Sequence, residues 1–378
     1  MKHIRCADKY AQLQKNLRSV RDEKEVPIHF DGTTIGDVTF TAHWSYNGGS
    51  SSGGGSSSGG GSSNNDTETV KNPDGSTTTT VTDKTTGTVT KTTKTADGTT
   101  GTVVTDKDGN VIEVSASVSS DAIQAAGKSG EAVTLPVEVP TVKNTNDAPA
   151  VEITVPKGTN SVKVEIPVKN ITSGSVAIIV REDGTEEIVK TSTLGENGVV
   201  LTLDGSATVK IVDNSKSFGD IHDMDHWAAD AVDYVSARGL FSGTDANTFS
   251  PESQLTRAMV VTVLASYNGH ETAGGGTWYE KSMEWAKENG VSDGSNPDGN
   301  ITREQLAVML WRASGSPEAE SELTYRDSDE ISDWAQNAMA WAIQNGIMSG
   351  KGNGILDSKG LATRAEAAVM IRNFCELK

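Results

Sequence analysis

Residues 301–310 read ITREQLAVML, and the Thr302-Arg303 pair inside it returns at Thr256-Arg257 (LTRAMVVTVL) and at Thr363-Arg364 (ATRAEAAVMI), each time just ahead of an apolar run. Three copies of one local device in the last third of a 378-residue chain mark an internal repeat. Tryptophans set its frame. Twelve residues after each of Trp227, Trp278 and Trp334 stands a glycine (Gly239, Gly290, Gly346), and sixteen after each stands another (Gly243, Gly294, Gly350). Seven after each stands an aromatic residue: Tyr234, Trp285 or Trp341.

The spacing predicts the same shape for every copy. Between the Trp and the first Gly, residues such as Ala231, Val232, Tyr234 and Val235 fall on one face of a helix of about three turns. The Gly stands where a helix C-cap needs positive φ. A polar loop follows, and the Thr then sits at an N-cap, where its hydroxyl accepts from an orphan amide. Gln305 and Glu366, three residues after their Thr, are expected to complete capping boxes, whereas the first copy has Met259 there. Second helices are expected over 260–265, 306–311 and 367–374. One such unit cannot bury its apolar face alone, but several stacked together share a core.

The arginine is not explained by capping. A cation in the first helical turn opposes the helix dipole, so its recurrence calls for a negative partner. Two partners fit: an anionic ligand met by the Arg fork and the helix N-terminal amides, or an Asp or Glu of a neighbouring copy.

These segments resemble surface-layer homology (SLH) modules. The first copy shows Phe218-Gly219-Asp220, His226-Trp227-Ala228, Gly239 and Gly243, Phe249-Ser250-Pro251, and Thr256-Arg257-Ala258. The third shows Tyr325-Arg326-Asp327, Trp334-Ala335, Gly346 and Gly350, and the full Thr363-Arg364-Ala365-Glu366. The second is shorter, taking nine residues from Gly294 to Arg303 where the others take fourteen. The resemblance covers about 217–377 and implies an all-α, three-repeat pseudo-threefold spindle, with copies at 217–269, 270–315 and 322–378. It implies that grooves between copies hold secondary cell-wall polysaccharide or a peptidoglycan-linked polymer, often through a pyruvate ketal. Arg257, Arg303 and Arg364 are then the charge partners, flanked by Thr256, Thr302 and Thr363. Trp227, Trp278 and Trp334 offer either a sugar-facing ring or core bulk, of which core is the commoner role. The expected function is non-catalytic anchoring at the cell surface; the alternative is a surface-lattice protein whose repeats bind one another.

The rest of the chain reads as β structure. Residues 1–47 end in an alternating run, 37–44, similar to the closing strand of internalin-type repeats, and 48–66 form a Gly/Ser linker. Residues 67–118 are Thr-rich, with turn signals at Asp74-Gly75, Asp97-Gly98 and Asp108-Gly109, predicting a hairpin stalk with little core. Seven short strand-like runs over 119–213 predict a β-sandwich with no catalytic group. The fold expected overall is multidomain, all-β and then all-α.

A net charge of −18 argues against nucleic acid as a partner, and no apolar run reaches the roughly 20 residues of a membrane span. Cys6 and Cys375 lack metal-ligand spacing. His222, Asp223, Asp225 and His226 read as a polar helix entry rather than a metal site, and the loop at 293–300 misses the register of a calcium loop. No nucleophile–base pair stands out, so no enzyme, cofactor or catalytic residue is expected. The start of the chain carries no secretory signal pattern, so the expectation is either a later portion of a longer secreted protein or a misassigned start, ahead of an intracellular address.

Overall fold

The computed structural model describes residues 64–320 and 323–377. The readings made on 1–47, on Cys6 and on most of the Gly/Ser run therefore lie outside the described residues.

Five strands open the described chain: β1 (Asn65–Lys71), β2 (Thr77–Asp83), β3 (Val89–Lys94), β4 (Thr100–Thr105) and β5 (Val111–Ser117). They pair antiparallel in sequence order, turning at the predicted Gly75, Gly98 and Gly109 and also at Gly87. Hydroxyl pairs tie neighbouring strands where apolar side chains are scarce: Thr69 with Thr79 (3.2 Å), Thr78 with Thr93 (3.0 Å) and Thr92 with Thr102 (3.1 Å).

Helix α1 (Ser120–Ser129) follows, a helix that strand patterning overlooked. Ser119 caps its first turn and Gly130 leaves it at φ 78°. Nine strands come next: β6 (Val133–Thr134), β7 (Val139–Pro140), β8 (Val151–Thr154), β9 (Val162–Lys169), β10 (Ser175–Val180), β11 (Glu186–Ile188), β12 (Thr193–Leu194), β13 (Gly198–Leu203) and β14 (Ala207–Asp213). One sheet runs β1-β2-β3-β4-β5-β8-β14-β10-β11, and a second runs β12-β13-β9-β6 with β7 also on β9. The Thr-rich meander thus continues directly into the first sheet, through a parallel β5–β8 pair. Alternating residues such as Val151 and Ile153, Val164 and Ile166, Leu201 and Ile211 fill the core beneath both sheets.

Six longer helices build the last third: α2 (Ala229–Ala237), α3 (Arg257–Tyr267), α4 (Glu280–Glu288), α5 (Arg303–Ala313), α6 (Gln336–Gln344) and α7 (Arg364–Cys375). Gly239, Gly290 and Gly346 stand at φ 65–67°, the left-handed cap the spacing predicts. A single apolar core runs from Phe218 to Cys375 and draws on all three copies. Cys375 is a buried free thiol whose pKa burial pushes up to about 12.

The β region docks on the first copy. Arg238, at the C-cap of α2, is fully buried and donates to the carbonyls of Ser192 (2.7 Å) and Ser175 (3.1 Å) while lying 3.5 Å over the Tyr234 ring. Leu194 packs against the helical core beside it.

Candidate functional site

The residues just before the three threonines close a ring. Leu255 N donates to Ala362 O (3.2 Å), Ala362 N to Ile301 O (3.0 Å) and Ile301 N to Leu255 O (2.9 Å). From this ring α3, α5 and α7 set out, and each Thr hydroxyl accepts from the amide three residues on, at 3.3 Å in every copy. The first helical amides, offered to an anion by the sequence, are instead taken by the next copy's loop. Arg257 N reaches Gly299 O, Arg303 N reaches Gly360 O and Arg364 N reaches Ser253 O, at 2.8–3.0 Å.

The guanidinium groups follow the same circuit. Arg303 is buried, with Nε on Leu356 O (3.2 Å), Nη2 on Ser349 O (2.7 Å) and Nη1 on Glu366 (3.1 Å). Arg364 is buried too, with Nε on Phe249 O (2.7 Å), Nη2 on Ser242 O (2.6 Å) and its plane 4.5 Å over the Phe249 ring. Asp220 and Asp327, the acids of the two Phe/Tyr-x-Asp starts, position these acceptors. Each takes two amides of the loop, Asp220 those of Phe249 and Ser250, Asp327 those of Leu356 and Asp357. The sequence offered the spacing but not this role.

Arg257 differs. The second copy's loop is short, and Arg257 meets Ser295 O (3.0 Å), Ser292 Oγ (3.2 Å) and the exposed Asp293 carboxylate (3.0 Å), its side chain 13% exposed and no donor from Nη1 engaged among the described residues. Hydrogen bonds from Ser295 hold the Asp293 carboxyl below its ordinary range, helped by Arg257. Beside it lies a groove of about 320 Å³. It is lined by the buried Val308 and Met309, by Gln305 and Arg312 of α5, and by Trp334 of the third copy. Arg312 is exposed, and its guanidinium has no partner among the described residues.

Two expectations need correction. The reference tryptophans are not core: Trp227, Trp278 and Trp334 are 63, 54 and 55% exposed, and the buried pairs Ala231 and Val232, Ser282 and Met283, and Ala338 and Met339, one turn on, supply the packing instead. Glu366 completes no capping box. Its side chain is drawn away to Lys351 (2.9 Å) and Arg303, a stronger pull than a neutral amide, while Gln305, having no charge to answer, does close the box at Thr302.

Burial raises the Glu366 pKa, but Lys351 and Arg303 outweigh it and hold the carboxyl below its ordinary range. A depressed folded pKa stabilises fully above the unfolded value near ~4.3 and loses that stabilisation as pH falls through the folded value. Glu366→Gln is therefore expected to flatten the acid limb of the stability profile. Melting temperatures of both proteins from pH 7 to pH 3 test this; parallel losses below about pH 4.3 would contradict it.

A larger concavity, about 460 Å³, lies against the β region and is lined by Ile171, Leu194, Asp230 and Asp233 among others. Burial raises the Asp233 pKa, although the hydrogen bond from His222 (3.0 Å) lowers it. No cation lines it, so it has the wrong sign for an anion. His226 accepts from Ala228 N (3.2 Å), within the same polar helix entry.

Helix–loop–helix copies closed into a ring by backbone pairs and arginine forks, each copy with an exposed tryptophan, thus build the last third of the chain. The S-layer homology domain model matches residues 217–258 and 324–368, and the chain is an S-layer homology domain protein of the cell surface and cell wall. It is similar to an exoglucanase, XynX, of Acetivibrio thermocellus, 33% identical over 202 residues, which is 49% of this chain and 18% of that one. An amylopullulanase of Thermoanaerobacterium thermosulfurigenes is 34% identical over 179 residues, 43% of this chain and 10% of that one. The S-layer protein Sap of Bacillus anthracis is 27% identical over 176 residues, 41% of this chain and 21% of that one. The chain thus spans a small part of the length of these relatives, and the enzymes among them match through the S-layer homology part. Such domains mediate cell-wall anchoring. Among the described residues, no helix is long and apolar enough to cross a membrane.

Proposed function

We propose that this chain is a non-catalytic anchor whose inter-repeat grooves hold an anionic secondary cell-wall polysaccharide. The 320 Å³ groove of Arg257 and Trp334 carries this reading, because it joins a cation to an exposed aromatic face. A carboxylate such as a pyruvate ketal pairs with the free edge of Arg257, and the sugar ring lies on Trp334. Arg303 and Arg364, with Thr302 and Thr363, shape the two corresponding seams, where Trp227 and Trp278 offer equivalent faces; Thr256 anchors the helix that carries Arg257. In this reading 217–269, 270–315 and 322–378 are three pseudo-threefold copies. Residues 67–118 act as a stalk and 119–213 as a β-sandwich spacer. The overall negative charge does not forbid an anionic ligand, since charges beyond about 8–10 Å are screened at physiological salt.

Co-sedimentation of the chain with Gram-positive wall sacculi, before and after removal of the secondary polymer, tests the proposal. Binding is expected to vanish with the polymer, and Arg257→Ala and Trp334→Ala are each expected to weaken it about tenfold, the worth of one charge-assisted contact. Binding unchanged by stripping would reassign the ligand to peptidoglycan, and no binding would favour self-association.

A further inference from the structure

The three seams are quasi-equivalent in backbone but not in charge. The position ten residues after the capping threonine is Ser266 in the first copy, Arg312 in the second and Asn373 in the third. Ser266 is tied to Lys190 of the β region (2.7 Å), and Asn373 donates to Gly346 O (2.9 Å). Arg312 is tied to nothing among the described residues and lines the same groove as Arg257. The position three after the threonine differs as well. Glu366 places a carboxylate on Arg303 and Lys351, so that seam is internally neutralised, whereas Gln305 brings no charge. In the groove of Arg257, Asp293 offsets one cation and Arg312 is left over. The Arg257 side chain keeps slightly more exposure, 13%, than that of Arg303, 5%.

We infer that this groove selects a ligand with two negative charges, the first met by Arg257 and the second by Arg312, which lines the same groove. The inference rests on the anionic-glycan reading above and adds to it a preference for a segment charged on two neighbouring sugars. Arg312 is a specificity-determining residue here. Its place in the last turn of α5 also favours the helix dipole, but that role needs no groove and predicts no ligand preference.

Calorimetric titration of the full chain with two probes separates the possibilities. One probe is a methyl hexosaminide bearing a single pyruvate ketal; the other is a disaccharide bearing a carboxylate on each sugar. The wild-type chain is expected to bind the dianionic probe about tenfold more tightly, a preference that shrinks in high salt. Arg312→Gln should erase the preference while leaving single-carboxylate binding within about twofold. A preference that survives Arg312→Gln, or an equal loss for both probes, overturns the inference and leaves the anionic-glycan reading standing. Failure of the wild-type chain to bind either probe overturns both.

Discussion

Replacing Arg303 with Ala is expected to destabilise the helical region by roughly 3–5 kcal/mol, the cost of breaking a buried ion pair from one side. The side chain is buried, and its three donors end on Leu356 O, Ser349 O and Glu366. Truncation leaves two carbonyls without a donor, vacates a guanidinium-sized volume and leaves Glu366 with Lys351 as its remaining cation. Because this seam joins the second copy to the third, the loss falls on the shared core rather than on one helix. Chemical denaturation followed by tryptophan fluorescence reads the change. Arg257→Ala, whose side chain is 13% exposed and whose ion pair is with an exposed Asp293, is expected to cost less, about 1–3 kcal/mol for its charged hydrogen bonds, by the same measurement. Equal losses in the two variants would show that the arginines are interchangeable and would sink the distinction between a closed seam and an open groove.

What the sequence made legible follows from which interactions are written in side chains at short range. Gly239, Gly290 and Gly346 could be placed because a left-handed cap has one preferred residue, and the three threonines because N-caps have few. The arginine's requirement for a partner was legible from the helix dipole, but the partner was not. Most of the acceptors are main-chain carbonyls between 38 and 122 positions away, and a carbonyl has no residue type to read. The exposed tryptophans were obscured for a related reason: Trp at helical spacing reads as core, and only the buried residues one turn after each ring show the helices packing without it. Helix α1 had its signals, Ser119 before an acidic first turn and Gly130 after it, yet it lies within a run of strands whose alternation dominates the pattern. Arg312 was visible as the odd member of the Ser266, Arg312, Asn373 series, but it gains meaning only once the fold sets Trp334 across the groove.

Arg238→Ala is expected to uncouple the β region from the repeats. A fully buried cation with no carboxylate salt-bridge partner among the described residues is costly unless dipoles replace water, and here three carbonyls and the Tyr234 ring do so. Two of those carbonyls, Ser192 and Ser175, belong to the β region, so the side chain is a pin through the junction. Without it Ser175 O loses its donor and Ser192 O keeps only the Tyr234 hydroxyl at 3.4 Å, at about 1–3 kcal/mol for each buried group left unpaired. Arg238→Lys keeps the charge but cannot span both acceptors with one ammonium, so it is expected to recover part of the loss. Six of the seven tryptophans lie in the repeats, so fluorescence follows the helical part while far-UV circular dichroism follows the whole chain. The two probes are expected to report one coincident transition in the wild-type chain and two separated transitions in Arg238→Ala. Coincident transitions in the variant, with stability within about 1 kcal/mol of wild type, would show that the apolar contact around Leu194 holds the junction and that the buried arginine does not. The outcome bears on anchoring, because a rigid junction fixes the direction in which a wall-bound module presents the sheet above it, and a loosened one does not.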